Sequence, residues 1–164
     1  MPWVHGDWIE DDEADSEAGA WAFEPYARQL FKHAGWQPLP RPAPVAAGDA
    51  MAYATSLLEE FGGLIVGEAT PDSDRADGNI HFLRAPEPVR EHWVSCWPRL
   101  STAVWIAVGL DSYVDVLVDA KGDFLVVTEI DERLYNFGRD FVRLAETLLR
   151  SLDWPLDVED APRS

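Results

Sequence analysis

Aspartates around one predicted hairpin are the first residues whose type and spacing could support chemistry. Asp111, Asp115 and Asp119 recur at every fourth position. Carboxylates are preferred ligands of hard cations, so a cation site at this hairpin is one alternative. The three residues are spread over two turns and a strand, without the alternating oxygen ligands of a calcium loop. Turn formation and solvated charge are therefore the favoured interpretation.

Histidine chemistry offers a second alternative. His81 alternates with Ile80 and Phe82 in a predicted strand, so its side chain points to the opposite face of the sheet from theirs. A small hydrolase built on His81 with Asp111 or Asp115 requires these groups to meet in a concave pocket. No serine or cysteine nucleophile is indicated beside them, so this interpretation stays secondary.

The single cysteine, Cys96, cannot form an intramolecular disulfide, and the sequence shows no CxxC motif or Cys/His ligand cluster. Between Ser95 and Trp97 it is expected to be a buried, inert thiol. Phosphate-binding loops, nucleophile elbows, HExxH motifs and EF-hand loops are all missing from the sequence. We therefore predict no enzymatic activity, no cofactor and no metal site.

Three helices are predicted from apolar residues that recur at i, i+3, i+4, i+7, i+8 and i+11. The three series start at Phe23, Ala50 and Phe141. The last series continues to Leu152. Asp49 is expected to cap the second helix. Gly35 and Gly62 follow the first two helices and are expected to adopt left-handed conformations there.

Short apolar runs bounded by turn residues predict strands between the second and third helices. The runs cover residues 64–66, 79–83, 103–108, 113–118, 124–128 and 134–137. Two helices, consecutive strands and a final helix predict an α+β fold, in which about three main helices pack on a largely antiparallel sheet.

The charge balance restricts the classes of partner. The 164 residues include 30 acidic and 13 basic side chains, a net charge of −17. Such a surface repels phosphate backbones and anionic lipids, so direct nucleic-acid or membrane binding is disfavoured and a basic protein is the natural complement. Neither a secretory pattern nor a membrane-spanning apolar run is evident, so we predict a cytoplasmic location.

The domain organisation follows from the same charge pattern. Residues 1–20 carry seven acids and no base, together with Trp3 and Trp8, and residues 155–164 form a second acidic tail. We expect one domain over residues 21–154. The N-terminal segment is interpreted as a solvated tail, or as a segment whose tryptophans pack back onto the domain or anchor a partner.

Two motifs resemble those of a known family. Ala34-Gly35-Trp36 ends the first helix, and Glu60-Phe61-Gly62-Gly63-Leu64 ends the second. Strands follow, then a turn with Val118, Asp119 and Gly122, and a last helix after Phe137-Gly138. Over residues 22–152 this order resembles the SUKH superfamily, specifically its third immunity-protein subfamily. The glycine pair also has a purely architectural explanation, since a sharp turn into a core strand needs left-handed or closely approaching backbone.

The resemblance implies a bacterial immunity protein of a polymorphic toxin system, a toxin–antitoxin arrangement in which the protein binds and neutralises its cognate toxin without turnover. It also implies an α+β fold with a mixed, twisted sheet. Many such toxins act on nucleic acids and carry basic grooves that an acidic protein can occupy. A regulatory or scaffolding SUKH protein without a toxin is the alternative, since a fold does not fix a function.

Partner-binding residues are expected in loops and tails, where binding side chains tend to lie. The candidates are ten acids that would attract a basic partner, together with one tryptophan anchor. They are Trp8, Glu10, Asp11, Asp12, Glu13, Asp72, Asp74, Asp77, Asp111, Asp131 and Glu132.

Overall fold

A computed structural model describes residues 20–69 and 75–162. In these ranges the chain forms four α-helices, one 3-10 helix and seven strands. They are α1 (Pro25–His33), α2 (Ala50–Phe61), β1 (Ile65–Val66), β2 (Ile80–Pro88), α3 (Glu91–Cys96), the 3-10 helix (Pro98–Thr102), β3 (Val104–Gly109), β4 (Val114–Val118), β5 (Phe124–Thr128), β6 (Arg133–Asn136), α4 (Phe141–Arg150) and β7 (Val158–Asp160). The predicted α+β class is confirmed.

The seven described strands form one sheet in chain order, from β1 to β7. Each neighbouring pair is antiparallel, so the largely antiparallel sheet predicted from the strand pattern is confirmed, and the mixed sheet that the SUKH resemblance implies is not found in the described residues. Because consecutive strands are neighbours, short turns join β3 to β4, β4 to β5 and β5 to β6. These turns alternate between the two ends of the sheet.

Both faces of the sheet are covered. Every residue of β4 is buried, and its side chains alternate between two cores. The larger core holds the aromatic rings of α1, α2 and α4, including Phe31, Phe61 and Phe141. The smaller core places Trp93 of α3 against Leu117 and other apolar side chains of the opposite face. Burial of apolar surface on both sides is the main force that holds these layers together.

The three predicted helices are present, with corrected ends. Asp49 caps α2 as expected, since its Oδ1 accepts a hydrogen bond from the Ala52 amide at 3.1 Å. The last helix ends at Arg150, because Ser151 adopts a left-handed conformation with φ of 54°. Leu152 therefore lies outside the helix that the apolar spacing predicted.

The two glycines after α2, Gly62 and Gly63, are required for different reasons. Gly62 has a φ of −56°, so its predicted left-handed conformation is wrong, and Gly63 adopts it instead with a φ of +79°. A β-carbon at Gly62 would lie 2.4 Å from the carbonyl oxygen of Leu58. Close backbone approach explains the first glycine, and the left-handed turn into β1 explains the second.

Three features of the fold were not predicted from the sequence. Strand β2 continues beyond the predicted residue 83 to Pro88, across a shift of register between Phe82 and Glu87. The short helix α3 follows it. Strand β7 forms inside the predicted acidic tail and pairs with β6. Ion pairs between Arg99 and Glu159, and between Arg133 and Asp160, fix β7 at the edge of the sheet.

The close approach at Gly62 predicts the response to substitution. Gly62→Ala places a methyl group against backbone oxygen atoms that cannot rotate away, and we expect a loss of about 3 kcal/mol in the free energy of unfolding. Gly48→Ala is the control, since a β-carbon there meets nothing within 4 Å and only its φ of +81° is unfavourable. It should cost about 1 kcal/mol. Urea unfolding measures both values, and equal losses would contradict this explanation.

Candidate functional site

One end of the sheet gathers the predicted partner-binding acids that lie within the described residues. The cross-strand register places Ile80, Gly109, Val114, Thr128 and Arg133 in one row at this end. The segment before β2, the β3–β4 turn and the β5–β6 turn therefore lie beside one another. They carry Asp77, Asp111, Asp131 and Glu132. We call these four residues the acidic end.

The remaining seven predicted contacts lie outside the residues that the structure describes. They are Trp8, Glu10, Asp11, Asp12, Glu13, Asp72 and Asp74. Within the described residues, the candidate site therefore contains the four acids of the acidic end.

The β3–β4 turn is held in an unusual backbone conformation. Leu110, Asp111 and Ser112 have φ values of 49°, 58° and 75°, a left-handed region that L-residues seldom adopt. The buried side chain of Asn79 holds the turn, since its Oδ1 accepts from the Asp111 amide at 3.0 Å and its Nδ2 donates to Asp111 Oδ1 at 2.9 Å. These bonds fix the position of the Asp111 carboxylate.

Asp111 is also held in its charged form. The hydrogen bond from Asn79, followed by the hydrogen bond and charge of Arg75, lowers the pKa of the Asp111 carboxyl below its usual value. Arg75 forms an ion pair with the same carboxylate. Since both residues are exposed, salt and water screen this pair.

The β5–β6 turn presents the other two acids. Asp131 accepts a hydrogen bond from the Thr128 hydroxyl and lies 3.7 Å from the Arg133 guanidinium. Glu132 has a left-handed φ of 50°, and its backbone carbonyl accepts from the Ala161 amide at 3.0 Å. Contacts with the chain that follows β7 therefore hold this turn in place.

An apolar groove of about 370 Å³ lies between the two turns. Leu110, Tyr113, Ile130 and Trp154 line it, and Asp131 lies at its margin. The side chain of Ile130 is 80% exposed and that of Tyr113 is 55% exposed. Exposed apolar side chains beside fixed charges are typical of surfaces that bind another protein.

A second concavity, of about 970 Å³, opens beside the acidic end under α3. His92, Cys96 and Glu132 line it, and Nε2 of His92 lies 3.5 Å from Oε2 of Glu132. The Sγ atom of Cys96 lies 3.9 Å from the same oxygen. Cys96 is only partly buried, so the expectation of a buried thiol is wrong. Burial, and then the neighbouring Glu132 carboxylate, raise the pKa of this thiol, which disfavours a nucleophilic thiolate.

The sequence indicated no Cys/His ligand cluster, whereas the structure brings His92, Cys96 and Glu132 close together. His92 and Cys96 are four residues apart, a spacing that places two side chains on the same face of a helix. That spacing was visible in the sequence, but the segment was not predicted to be helical. Nothing in the sequence could have indicated that Glu132, 36 residues after Cys96, joins them.

The three aspartates considered for a cation site, two of which were also considered as partners of His81 in a hydrolase, lie at different places along β4 and its turns. Asp111 and Asp119 lie beyond opposite ends of β4, and Asp119 accepts hydrogen bonds from amides of its own turn. His81 contacts Glu68, with Nε2 3.2 Å from Oε1. It also lies close enough to Asp111 to interact electrostatically. After the larger effects of Asn79 and Arg75, this interaction helps to lower the pKa of the Asp111 carboxyl. Asp115 shares a cross-strand row with His81, but Val108 of β3 lies between them.

Asp115 instead anchors α3 to the sheet. Its side chain is fully buried, and its Oδ2 accepts from Trp93 Nε1 at 2.8 Å and lies 3.2 Å from Nε of Arg90. Burial raises the pKa of the Asp115 carboxyl, against the lowering effects of Trp93 and Arg90. This contact fixes the helix that carries His92 and Cys96.

The raised pKa predicts how stability depends on pH. The native state binds the Asp115 proton more tightly than the unfolded chain, so the charged carboxylate reduces stability above the ordinary pKa of aspartate. Asp115→Asn removes that charge and keeps an acceptor for Trp93. The free energy of unfolding of the wild type, minus that of Asp115→Asn, should decrease as the pH rises from about 3 to 7. Urea unfolding across this range measures the difference, and a constant or increasing difference would refute the assignment. Glu87→Gln is the control for losing an exposed carboxylate.

None of the helices in the described ranges combines the length and apolar character needed to cross a lipid bilayer. Comparisons with models of known protein families, with curated proteins and with solved structures found no match. A proposal for the function must therefore come from the residues themselves and from their arrangement.

Proposed function

We propose that this protein is a bacterial immunity protein of the SUKH superfamily, which binds and neutralises the cognate toxin of a polymorphic toxin system in the cytoplasm. The observation that carries the proposal is the apolar groove at the acidic end. Its most exposed side chains, Ile130 and Tyr113, lie next to charged carboxylates that the turns hold in place. This combination suits stoichiometric binding of a basic protein.

The two kinds of side chain contribute different parts of the binding free energy. Apolar and aromatic anchors at the centre of an interface supply most of the affinity, because they lose water on binding. Surrounding charges mainly accelerate the encounter and select the partner. Ile130 and Tyr113 are suited to the first task, and Asp111 and Asp131 are suited to the second.

The net charge of −17 supports a basic partner. A toxin that acts on nucleic acid needs a basic surface for the phosphate backbone, and that surface is complementary to the acidic end. The turn geometry also favours binding, because a surface that is already ordered loses less conformational entropy when a partner docks.

The arrangement of the elements supports the SUKH assignment. Two helices precede the consecutive antiparallel strands, and a long helix follows β6, as the resemblance implies. The motif residues Gly35 and Gly63 occupy left-handed positions at the ends of α1 and α2. Their role is therefore architectural, and the binding residues are expected at the other positions described above.

Co-expression with a candidate toxin encoded by a neighbouring gene tests the proposal. We expect the protein to rescue cell growth and to co-purify with the toxin in a fixed stoichiometry. Ile130→Ala should weaken the complex about tenfold, since it removes an apolar anchor from the groove. Val45→Ala is the matched control, because Val45 is 84% exposed in the connector between α1 and α2 and should leave affinity unchanged. Rescue without a complex, or equal effects of the two variants, would contradict binding through this groove.

A second prediction concerns the charges. Asp131→Asn should slow association with the toxin about two- to fivefold at low salt, and the difference should shrink as ionic strength rises. Glu87→Gln is the control, since this exposed acid lies in the part of β2 that pairs with Trp105, away from the acidic end. Stopped-flow association rates measure the effect. Equal slowing by both variants would show that only the net charge matters, and would exclude a steering role for the acidic end.

A further inference from the structure

Three side chains with different metal-binding atoms converge at the concavity under α3. His92 and Cys96 lie one helical turn apart, and Glu132 reaches them from the β5–β6 turn. One ligand atom from each of the three residues lies within 4.8 Å of the other two. Imidazole nitrogen, thiolate sulfur and carboxylate oxygen are the three kinds of side-chain donor that bind zinc in proteins.

The separations fit a tetrahedral metal ion. With bonds of about 2.0 to 2.3 Å and tetrahedral angles, neighbouring nitrogen and oxygen ligands of zinc lie about 3.4 Å apart, and neighbouring sulfur and oxygen ligands about 3.6 Å apart. The corresponding distances here are 3.5 Å from His92 Nε2 to Glu132 Oε2 and 3.9 Å from Cys96 Sγ to the same oxygen. Small rotations of the exposed His92 side chain and the partly buried Cys96 and Glu132 side chains would bring the three ligand atoms to these separations.

We propose that His92, Cys96 and Glu132 bind zinc, or a transition-metal ion of similar preference, and leave a fourth coordination position open to the concavity. Nitrogen and sulfur donors disfavour calcium and magnesium, which require oxygen ligands. On binding, the thiol proton passes to solvent as the metal–sulfur bond forms. The open position is available to a water molecule.

Contacts with the rest of the structure fix the helix and the turn that carry the three ligands. Asp115 bonds to the indole of Trp93, the neighbour of His92, and so fixes the helix over the sheet. The backbone of Glu132 is fixed by the Ala161 amide. Ligands that are positioned before the ion binds lose less entropy on coordination, which increases affinity.

The metal site is separate from the surface proposed to bind a toxin. Tyr113 and Ile130 line the groove and are not part of the cluster. Glu132 belongs both to the acidic end and to the metal-binding cluster. As a metal ligand, its negative charge would be neutralised. Loss of metal binding and loss of toxin binding can therefore be produced by different substitutions.

Titration of the full-length, reduced protein with Co²⁺ alone, and then with Zn²⁺, tests the site. We expect one ion per chain, a thiolate-to-cobalt charge-transfer band, and displacement of cobalt by zinc. Because Cys96 is the only cysteine, the band reports this side chain alone. Cobalt bound without the band, or no saturable binding at all, would overturn the proposal.

Variants then identify the ligands. Cys96→Ser should abolish the band, and His92→Gln and Glu132→Gln should each weaken binding by at least about 100-fold. His81→Gln is the matched control, since His81 also lies beside a glutamate but has no cysteine near it, and it should bind like the wild type. Circular dichroism without metal checks that each variant is folded. Zinc affinity that is unchanged in folded His92→Gln or Glu132→Gln would place the ion elsewhere and refute the site.

Discussion

The strands at the centre of the sheet are buried on both faces, and this burial determines where the other parts of the molecule can lie. All five residues of β4 are inaccessible to solvent, so each face must be covered by other elements. Helices α1, α2 and α4 cover one face, and α3 with the 3-10 helix covers the other. With both faces occupied, the ends of the sheet remain for polar side chains that can meet a partner or an ion.

Two of the turns between consecutive antiparallel strands form an exposed surface at one end of the sheet. The β3–β4 and β5–β6 turns emerge at the same end, so residues about 20 positions apart in the sequence become neighbours. Four non-glycine residues in these two turns adopt left-handed conformations: Leu110, Asp111, Ser112 and Glu132. Such backbone costs free energy, and strained positions of this kind are concentrated at functional sites. Asn79 and the segment after β7 provide the contacts that maintain them.

Strong periodicity explains which parts of the fold could be predicted from the sequence. The three long helices repeat apolar residues over eleven positions, and the central strands are apolar runs between turn residues, so both types of element were identified. Helix α3 has six residues, too few for a period to be recognised. Strand β7 consists of exposed, mainly acidic residues, and ion pairs with Arg99 and Arg133 hold it, which no local pattern indicates.

The candidate sites were predictable to different degrees. Asp77, Asp111, Asp131 and Glu132 were selected from the sequence as loop acids, and the chain order of the strands brings these four residues to one end of the sheet. The groove was missed because Tyr113 and Ile130 have apolar side chains that sequence patterns assign to a core. From the sequence, Asp115 resembled a solvated strand residue. Only the tertiary structure shows that the Trp93 indole donates a hydrogen bond to its buried carboxylate and that the Arg90 guanidinium pairs with it.

Hydrogen–deuterium exchange of the protein, alone and with the proposed toxin partner, is the most direct test of the proposed binding through the acidic end. The account predicts slower exchange on binding in the β3–β4 and β5–β6 turns, with little change in the β4–β5 turn at the opposite end of the sheet. Protection confined to that opposite end or to the outer surfaces of α1 and α2 would contradict it.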